Sequence, residues 1–311
     1  MKIVSYRELS DEEKESMLPI MRIPFGWPFN PQRFEEIAKT DPCYKDSPIG
    51  FCAVENGEVV SFVGVMELKT RNLDGETEVV GGIYGVSTLP SRARKGLSTI
   101  LIKRAHEYLC EKAYRFSFLT TSKAIVAYQL YLKLGYKDAT EFPSAQKIIK
   151  KRKVEEEGKI EKKPSVDWNK ILELYNKFTA NKTGFVVRDE KRLELLRKYY
   201  GIKPEMIIQT ERAYCIFKKH EDSIYPSTQL MEVAALKVDE AIKLIHRVEK
   251  KAESVVYDHV VLDSRILKAY RALGYTIEHR SYDVLMVKEL SDMSFKEAYG
   301  EKFHISILDF F

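Results

Sequence analysis

The chain has 311 residues, 44% of them hydrophobic and 31% charged, so it can bury a core beneath a charge-dense surface. That excludes a disordered chain, a collagen-like fibre and a disulfide miniprotein, and the length allows two domains of ~100–200 residues each. The 51 Lys and Arg against 46 Asp and Glu leave only +5, which argues for no nucleic-acid partner, because phosphate binding needs clustered cations. Asn and Gln are scarce and Lys, Glu and Ile abundant, a balance found in thermophile proteins. The cysteines, Cys43, Cys52, Cys110 and Cys215, form no CxxC pair and have no His at ligand spacing, so neither a metal site nor a disulfide framework is expected. The N-terminus has no signal-peptide core, and no apolar run approaches the ~20 residues of a membrane span. A soluble cytoplasmic protein without membrane contact is the expectation.

Lys2–Glu8 reads as a first strand, and Ser10 with Glu13 three residues later starts a helix through Met21. The run Ile23–Pro31, with three prolines and three large aromatics, reads as a rigid loop suited to a pocket wall. Strands are expected at Phe51–Glu55, Glu58–Lys69 and Glu76–Val86, with turns at Asn56-Gly57 and Asp74-Gly75. Gly96–Lys112 is an amphipathic helix, Phe116–Leu119 a short buried strand, and Ser122–Leu134 a helix stopped by Gly135. A linker of alternating charge, residues 151–164, leads to the second half. There, helices near Asp167–Phe178 and Glu190–Tyr199 precede strands near Met206–Lys218 and Leu230–Leu236. A helix Asp239–Ala252, a strand Val255–Leu262, a helix Arg265–Leu273 and strands after Tyr275 and Asp283 follow. Tyr131–Tyr136 and Tyr270–Tyr275 both spell Y-x-x-L-G-Y in the same slot of two βα patterns, which points to an internal duplication.

The chemistry concentrates in Gly81–Thr99. A strand runs into a turn holding Arg92, Arg94, Lys95 and Gly96, and a helix starts there. Unpaired N–H groups at a helix start favour a phosphate, Gly96 permits close approach, and the basic side chains add full charges. From the residues alone this is an anion-binding loop.

Pro90, the basic turn, Gly96-Leu97-Ser98 and the following helix resemble motif A of the GNAT acetyltransferases, and Leu119–Ser122 followed by Tyr131–Tyr136 resembles the family's next strand and tyrosine-bearing helix. The nearest resemblance is to the tandem-GNAT enhanced-intracellular-survival (Eis-like) group, over about residues 50 to 140. It implies an α/β (α+β) fold of two tandem GNAT-like domains, each a mixed, mostly antiparallel twisted sheet flanked by helices, the second degenerate. The expected division is a GNAT domain over 1–150, a linker over 151–164, a degenerate domain over 165–290 and an apolar tail over 291–311, without the group's third, sterol-carrier-like domain.

The resemblance also implies acetyl-CoA as cosubstrate. Val86, Ser87 and Thr88 are then expected to pair with the pantetheine arm and donate an N–H to the thioester carbonyl. Arg92, Arg94, Lys95, Gly96, Leu97, Ser98 and Thr99 would line the pyrophosphate, with Ser122 on the adjoining strand. Tyr131 would return a proton to the CoA sulfur. Ala93 stands where the family has Arg or Gln, and Arg92 is the substitute offered by the sequence. In the Eis-like group the C-terminal carboxylate serves as base, and this chain's apolar end offers Phe311, with Asp309 nearby. The second domain's turn, Leu236–Asp239, has no glycine, proline or arginine, so it is expected to bind no CoA, and Tyr270 reads as packing.

The expected activity is acetyl transfer from acetyl-CoA to an amine by direct attack, on a small-molecule or peptide acceptor. Asp41, Glu67 and Glu78 are acidic residues that could greet a cationic amine, and homo-oligomerisation stays open. The alternatives are an inactive acyl-CoA-binding sensor, suggested by Ala93, and a nucleic-acid-associated protein using Lys147–Lys163.

Overall fold

A computed structural model of the chain describes residues 1–26, 29–150, 165–221, 226–278 and 283–310. The first half runs β1 (Lys2–Ser5), α1 (Asp11–Glu15), α2 (Leu18–Phe25), α3 (Pro31–Thr40), β2 (Gly50–Glu55), β3 (Glu58–Arg71) and β4 (Thr77–Thr88). Then come α4 (Leu97–Glu111), β5 (Phe116–Ser122), α5 (Val126–Lys133), β6 (Lys137–Glu141) and β7 (Ser144–Ile148). The second half opens with α6 (Trp168–Thr179), β8 (Thr183–Gly184), α7 (Glu190–Lys198), β9 (Ile207–Gln209), β10 (Ala213–His220) and β11 (Ser227–Ala235). It closes with α8 (Val238–Lys251), β12 (Val255–Asp258), α9 (Ser264–Ala272), β13 (Thr276–Glu278), β14 (Asp283–Glu289), α10 (Phe295–Tyr299) and β15 (Phe303–His304).

The chain forms two compact units, and neither is continuous. Met1–Thr140 joins Asp283–Glu301 in one, and Glu141–Tyr282 joins Lys302–Phe310 in the other. This differs from the linear division at residue 150, and the reason is one exchanged strand in each sheet. The first unit's strand order is β1-β2-β3-β4-β5-β14-β6, and the second's is β13-β7-β12-β11-β10-β9. In both, an antiparallel pair (β3–β4, β10–β11) adjoins a parallel one (β4–β5, β11–β12), and an antiparallel strand follows. That strand is β14 beside β5 in the first unit, and β7 beside β12 in the second. The duplication read from the sequence is present, with its penultimate strands traded. The segment expected as a tail from 291 is likewise divided between the units.

Side chains of the first sheet alternate between two cores. Phe51, Ala53, Val63 and Val65 face α4 and α5, whereas Cys52, Val54 and Phe62 face α1–α3. The expected helix from Ser10 to Met21 is two helices. Ser10 caps the first through a capping box, and Pro19, which lacks an N–H and crowds the preceding turn, forces a restart at Leu18. Ile23–Pro31 is also less of a loop than expected: α2 runs through Pro24 to Phe25, and α3 begins at Pro31 under an Asn30 cap that accepts the Arg33 N–H at 2.8 Å. Trp27 and Pro28 lie outside the described residues.

The second unit packs around one core in which α6, α8 and α9 cover its sheet. Its C-terminal segment is tied down by charge. Arg188, 2% exposed, donates to Glu232 and to Asp309, both at 2.8 Å, and Tyr214 donates to Glu232 at 2.7 Å. Arg192 adds a bond to the Leu308 carbonyl at 2.8 Å, and the Phe310 ring meets Phe142 at 5.1 Å. Asp309 is therefore committed to an ion pair of its own and is no longer a free carboxylate beside the chain end, as the sequence had it. Phe311 lies outside the described residues, as does the charged linker 151–164.

Candidate active site

Parallel strands β4 and β5 pair at only two positions, Gly81 with Ser117 and Gly82 with Phe118, although both strands continue beyond them. β5 is then occupied by β14 over its whole length, while β4 follows β3 through a register shift between Tyr84 and Ser87, at Gly85. The C-terminal ends of β4 and β5 thus part, leaving the backbone of Tyr84–Thr88 along one side of an opening. Val86 and Thr88 are half-buried there. The Ser87 hydroxyl is buried and, among the described residues, has no hydrogen-bond partner. A buried orphan hydroxyl is the kind of group a ligand satisfies.

The turn after β4 has the geometry of an anion nest. Pro90–Arg92 form one 3₁₀ turn, Arg94 and Gly96 adopt left-handed φ of 62° and 78°, and α4 starts at Leu97. Gly96 is the N-cap and has no side chain to satisfy the first N–H groups, so those of Leu97, Ser98 and Thr99 carry the positive end of a four-turn helix. No acidic residue stands in that first turn, and Arg94, Lys95 and Gly96 are exposed. Glycine is required at position 96 by its φ, since an added Cβ would meet nothing within 4 Å. These features fit a pyrophosphate.

The other expected residues divide. Leu97 anchors the helix start in the core with Leu101 and Ile83. The Thr88 hydroxyl sits 2.7 Å from Ser61 Oγ and 2.8 Å from Ser98 Oγ, pinning the strand end to the helix start. Arg92, the proposed stand-in at Ala93, turns away: its Nε donates to Glu55 at 2.6 Å, a bond that, with the positive charges of Arg92 and Lys95, lowers the Glu55 carboxyl's affinity for a proton. Ser122 ends β5, where its hydroxyl accepts the Ala124 N–H at 3.3 Å and opens the turn into α5. Tyr131 on α5 is 6% exposed, packs in the core with Leu97 and Leu119, and meets Tyr136 edge to face at 6.0 Å. Burial pushes its pKa up to about 12. The acidic candidates are engaged structurally: Asp41 accepts the Cys43 N–H, Glu67 the Tyr108 hydroxyl, and Glu78 the Arg115 guanidinium and the Tyr299 hydroxyl. Lys147, first of the basic run, pairs with Glu249 at 2.7 Å.

Sequence reasoning missed Ile49. This β-branched residue sits at φ 64°, a strain on the order of 1–3 kcal/mol, immediately before β2. Its N–H is held by Ser47 Oγ at 3.0 Å, and its carbonyl accepts the Val65 N–H and the Tyr84 hydroxyl, each at 2.9 Å. The Tyr84 ring lies so close to Gly64 that a Cβ there would come within 2.3 Å of it. No residue pattern announced this, because the four positions are joined only by strand register.

The second unit shows what the site loses. β11 passes into α8 through Leu236 and Lys237 alone, with no positive φ at either, and the first turn of α8 holds Asp239 and Glu240. Tyr270 donates to the buried Asp258 at 2.8 Å. Among the described residues no three His, Cys, Asp or Glu side chains gather to hold a metal, and no helix is long and apolar enough to cross a membrane.

Residues 5–139 match the family description "Acetyltransferase (GNAT) domain". That segment is thus a GNAT acetyltransferase domain. The fold of the chain is shared with solved GCN5-related N-acetyltransferases and with Eis1. The GCN5-related N-acetyltransferase of Kribbella flavida matches with a TM-score of 0.65 at 16% identity, over 93% of this chain and 72% of that one. Eis1 of Mycobacterium abscessus matches with 0.59 at 13% identity, over 93% and 74%. The GCN5-related N-acetyltransferase of Sphaerobacter thermophilus matches with 0.51 at 15% identity, over 90% and 93%. No curated protein sequence matches the chain significantly.

Proposed function

We propose that the first unit transfers acetyl from acetyl-CoA to an amine, and that the second unit binds no CoA. The observation that carries this is the uncapped start of α4 behind Arg94–Gly96, placed at the open end of β4 and β5. When bound, acetyl-CoA supplies an acyl group activated as a thioester. Arg94, Lys95 and the N–H groups of Leu97–Thr99 hold the pyrophosphate. The unpaired edge of Val86–Thr88 orients the acyl arm and donates to the carbonyl oxygen as negative charge develops on it. Tyr131 keeps a proton ready for the leaving sulfur.

A calorimetric titration with acetyl-CoA is expected to give one site per chain, and Gly96→Val, which a left-handed φ disfavours, to abolish most of the binding. Two sites, or none, would contradict the assignment.

A further inference from the structure

On the face of β3 and β4 opposite α4, aromatic rings follow one another from the opening outward. Tyr84 meets Phe62 and Tyr44, each at 5.9 Å between ring centroids, Tyr44 meets Phe34 at 6.2 Å, and Phe34 meets Phe29 at 5.6 Å. Phe62 and Tyr44 are buried, whereas Phe25, Phe29, Phe34 and Tyr84 keep part of their surface exposed. Three carboxylates on this face are engaged. Glu35 pairs with Lys14 at 3.0 Å, Glu13 with Lys2 at 2.8 Å, and Asp41 accepts the Cys43 N–H at 2.9 Å.

Place in the strand decides what this ladder can touch. Tyr84 immediately precedes the register shift at which β4 leaves its partner, so its ring stands at the rim of the opening. Helices α4 and α5 cover the other face of the sheet, and on this face α1–α3 leave the rings of Tyr84, Phe34 and Phe29 partly exposed, so an acceptor approaches past those rings. The ring is fixed before any substrate arrives: its hydroxyl is bound by the Ile49 carbonyl, and Gly64 lets it lie flush on the neighbouring strand.

We propose that Tyr84, with Phe29 and Phe34 further out, is the wall against which the acceptor is laid, and that the acceptor is a monoamine with an aromatic or long apolar body. The proposal rests on the acetyltransferase reading of the same unit and narrows its substrate class. A π face attracts a single ammonium group and packs against an apolar body. A polyamine or aminoglycoside needs several free carboxylates, and Glu13, Glu35 and Asp41 already serve cations or backbone donors of the chain itself.

The test uses the full chain, 2-phenylethylamine and spermidine. Binding of each amine is read by calorimetry with CoA present, and turnover by thiol release from acetyl-CoA. 2-Phenylethylamine is expected to bind about tenfold tighter and to be acetylated with a correspondingly higher kcat/KM. Tyr84→Leu is expected to raise its KM about tenfold without changing the KM of acetyl-CoA, while Tyr84→Phe, which keeps the ring, stays within about threefold of the parent. Phe29→Leu, at the outer end, gives a smaller rise in the same direction and serves where Tyr84→Leu fails to fold. Spermidine bound or acetylated better than 2-phenylethylamine overturns the proposal, as does a preference that survives both leucine variants. Failure of the acetyltransferase reading looks different: no acetyl-CoA is bound and no thiol is released with any amine, and amine calorimetry without CoA then still decides whether the wall exists.

Discussion

A chain ending at Lys150 is expected to lose the folded acetyltransferase unit, although residues 5–139 contain the whole family match. β14 pairs with β5 at seven successive positions, and without it β5 has only its two-residue contact with β4. Val284, Leu285 and Met286 are all fully buried, each worth roughly 1.5–3 kcal/mol on burial. The Tyr299 hydroxyl bonds Thr70 at 2.8 Å and Glu78 at 2.7 Å, and Lys288 donates to the carbonyl of Leu134, the C-cap of α5, at 2.6 Å. These losses together match a typical total stability of ~5–15 kcal/mol. The truncated chain should show no cooperative thermal transition and no acetyl-CoA binding. A sharp transition with acetyl-CoA affinity intact would show that β14 is dispensable.

Tyr131→Phe is expected to lower kcat about a hundredfold while the KM for acetyl-CoA changes less than about twofold. The ring keeps its edge-to-face contact with Tyr136, so folding should be spared and only the proton lost. Burial opposes ionisation of the phenol, whose pKa rises to about 12, so the hydroxyl stays protonated through the working range. The rate should therefore rise with pH as the acceptor amine loses its proton, with no falling limb from Tyr131 below about pH 11. An unaltered kcat in the phenylalanine variant would take Tyr131 out of the chemistry.

What the sequence disclosed was local. Gly96 and the basic turn are legible because one φ and a few adjacent charges define an anion nest. The repeated Y-x-x-L-G-Y is legible for a reason the structure makes plain: it is a helix stop. Tyr136 N–H bonds the Tyr131 carbonyl at 3.1 Å and Gly135 N–H that of Leu132 at 3.1 Å, and Tyr275 and Gly274 repeat this on Tyr270 and Arg271. The motif thus marks two related helix ends, and only the surroundings separate the tyrosines. Tyr270 is spent on Asp258, while Tyr131 packs beside the uncapped start of α4. α3 was written as Asn30-Pro31, a cap followed by a first-turn proline, and was obscured by the density of prolines around it. The exchange of β7 and β14 could not be read, because each strand's local pattern is the same whichever sheet receives it. The bond from Arg92 to Glu55 and that from Tyr84 to Ile49 depend on register between strands distant in sequence, and no spacing rule reaches them.

The traded strands also set a clock on synthesis. The ribosome completes the Arg92–Gly96 turn and Tyr131 early, yet the strand that closes their sheet emerges about 150 residues later, beyond most of the other unit's sequence. At ~5–20 residues per second the nascent chain spends on the order of 10–30 s with the edge of β5 uncovered. The complete sheet of the first unit is thus withheld from every partial translation product, and the exposed edge is the stretch that a chaperone would have to guard.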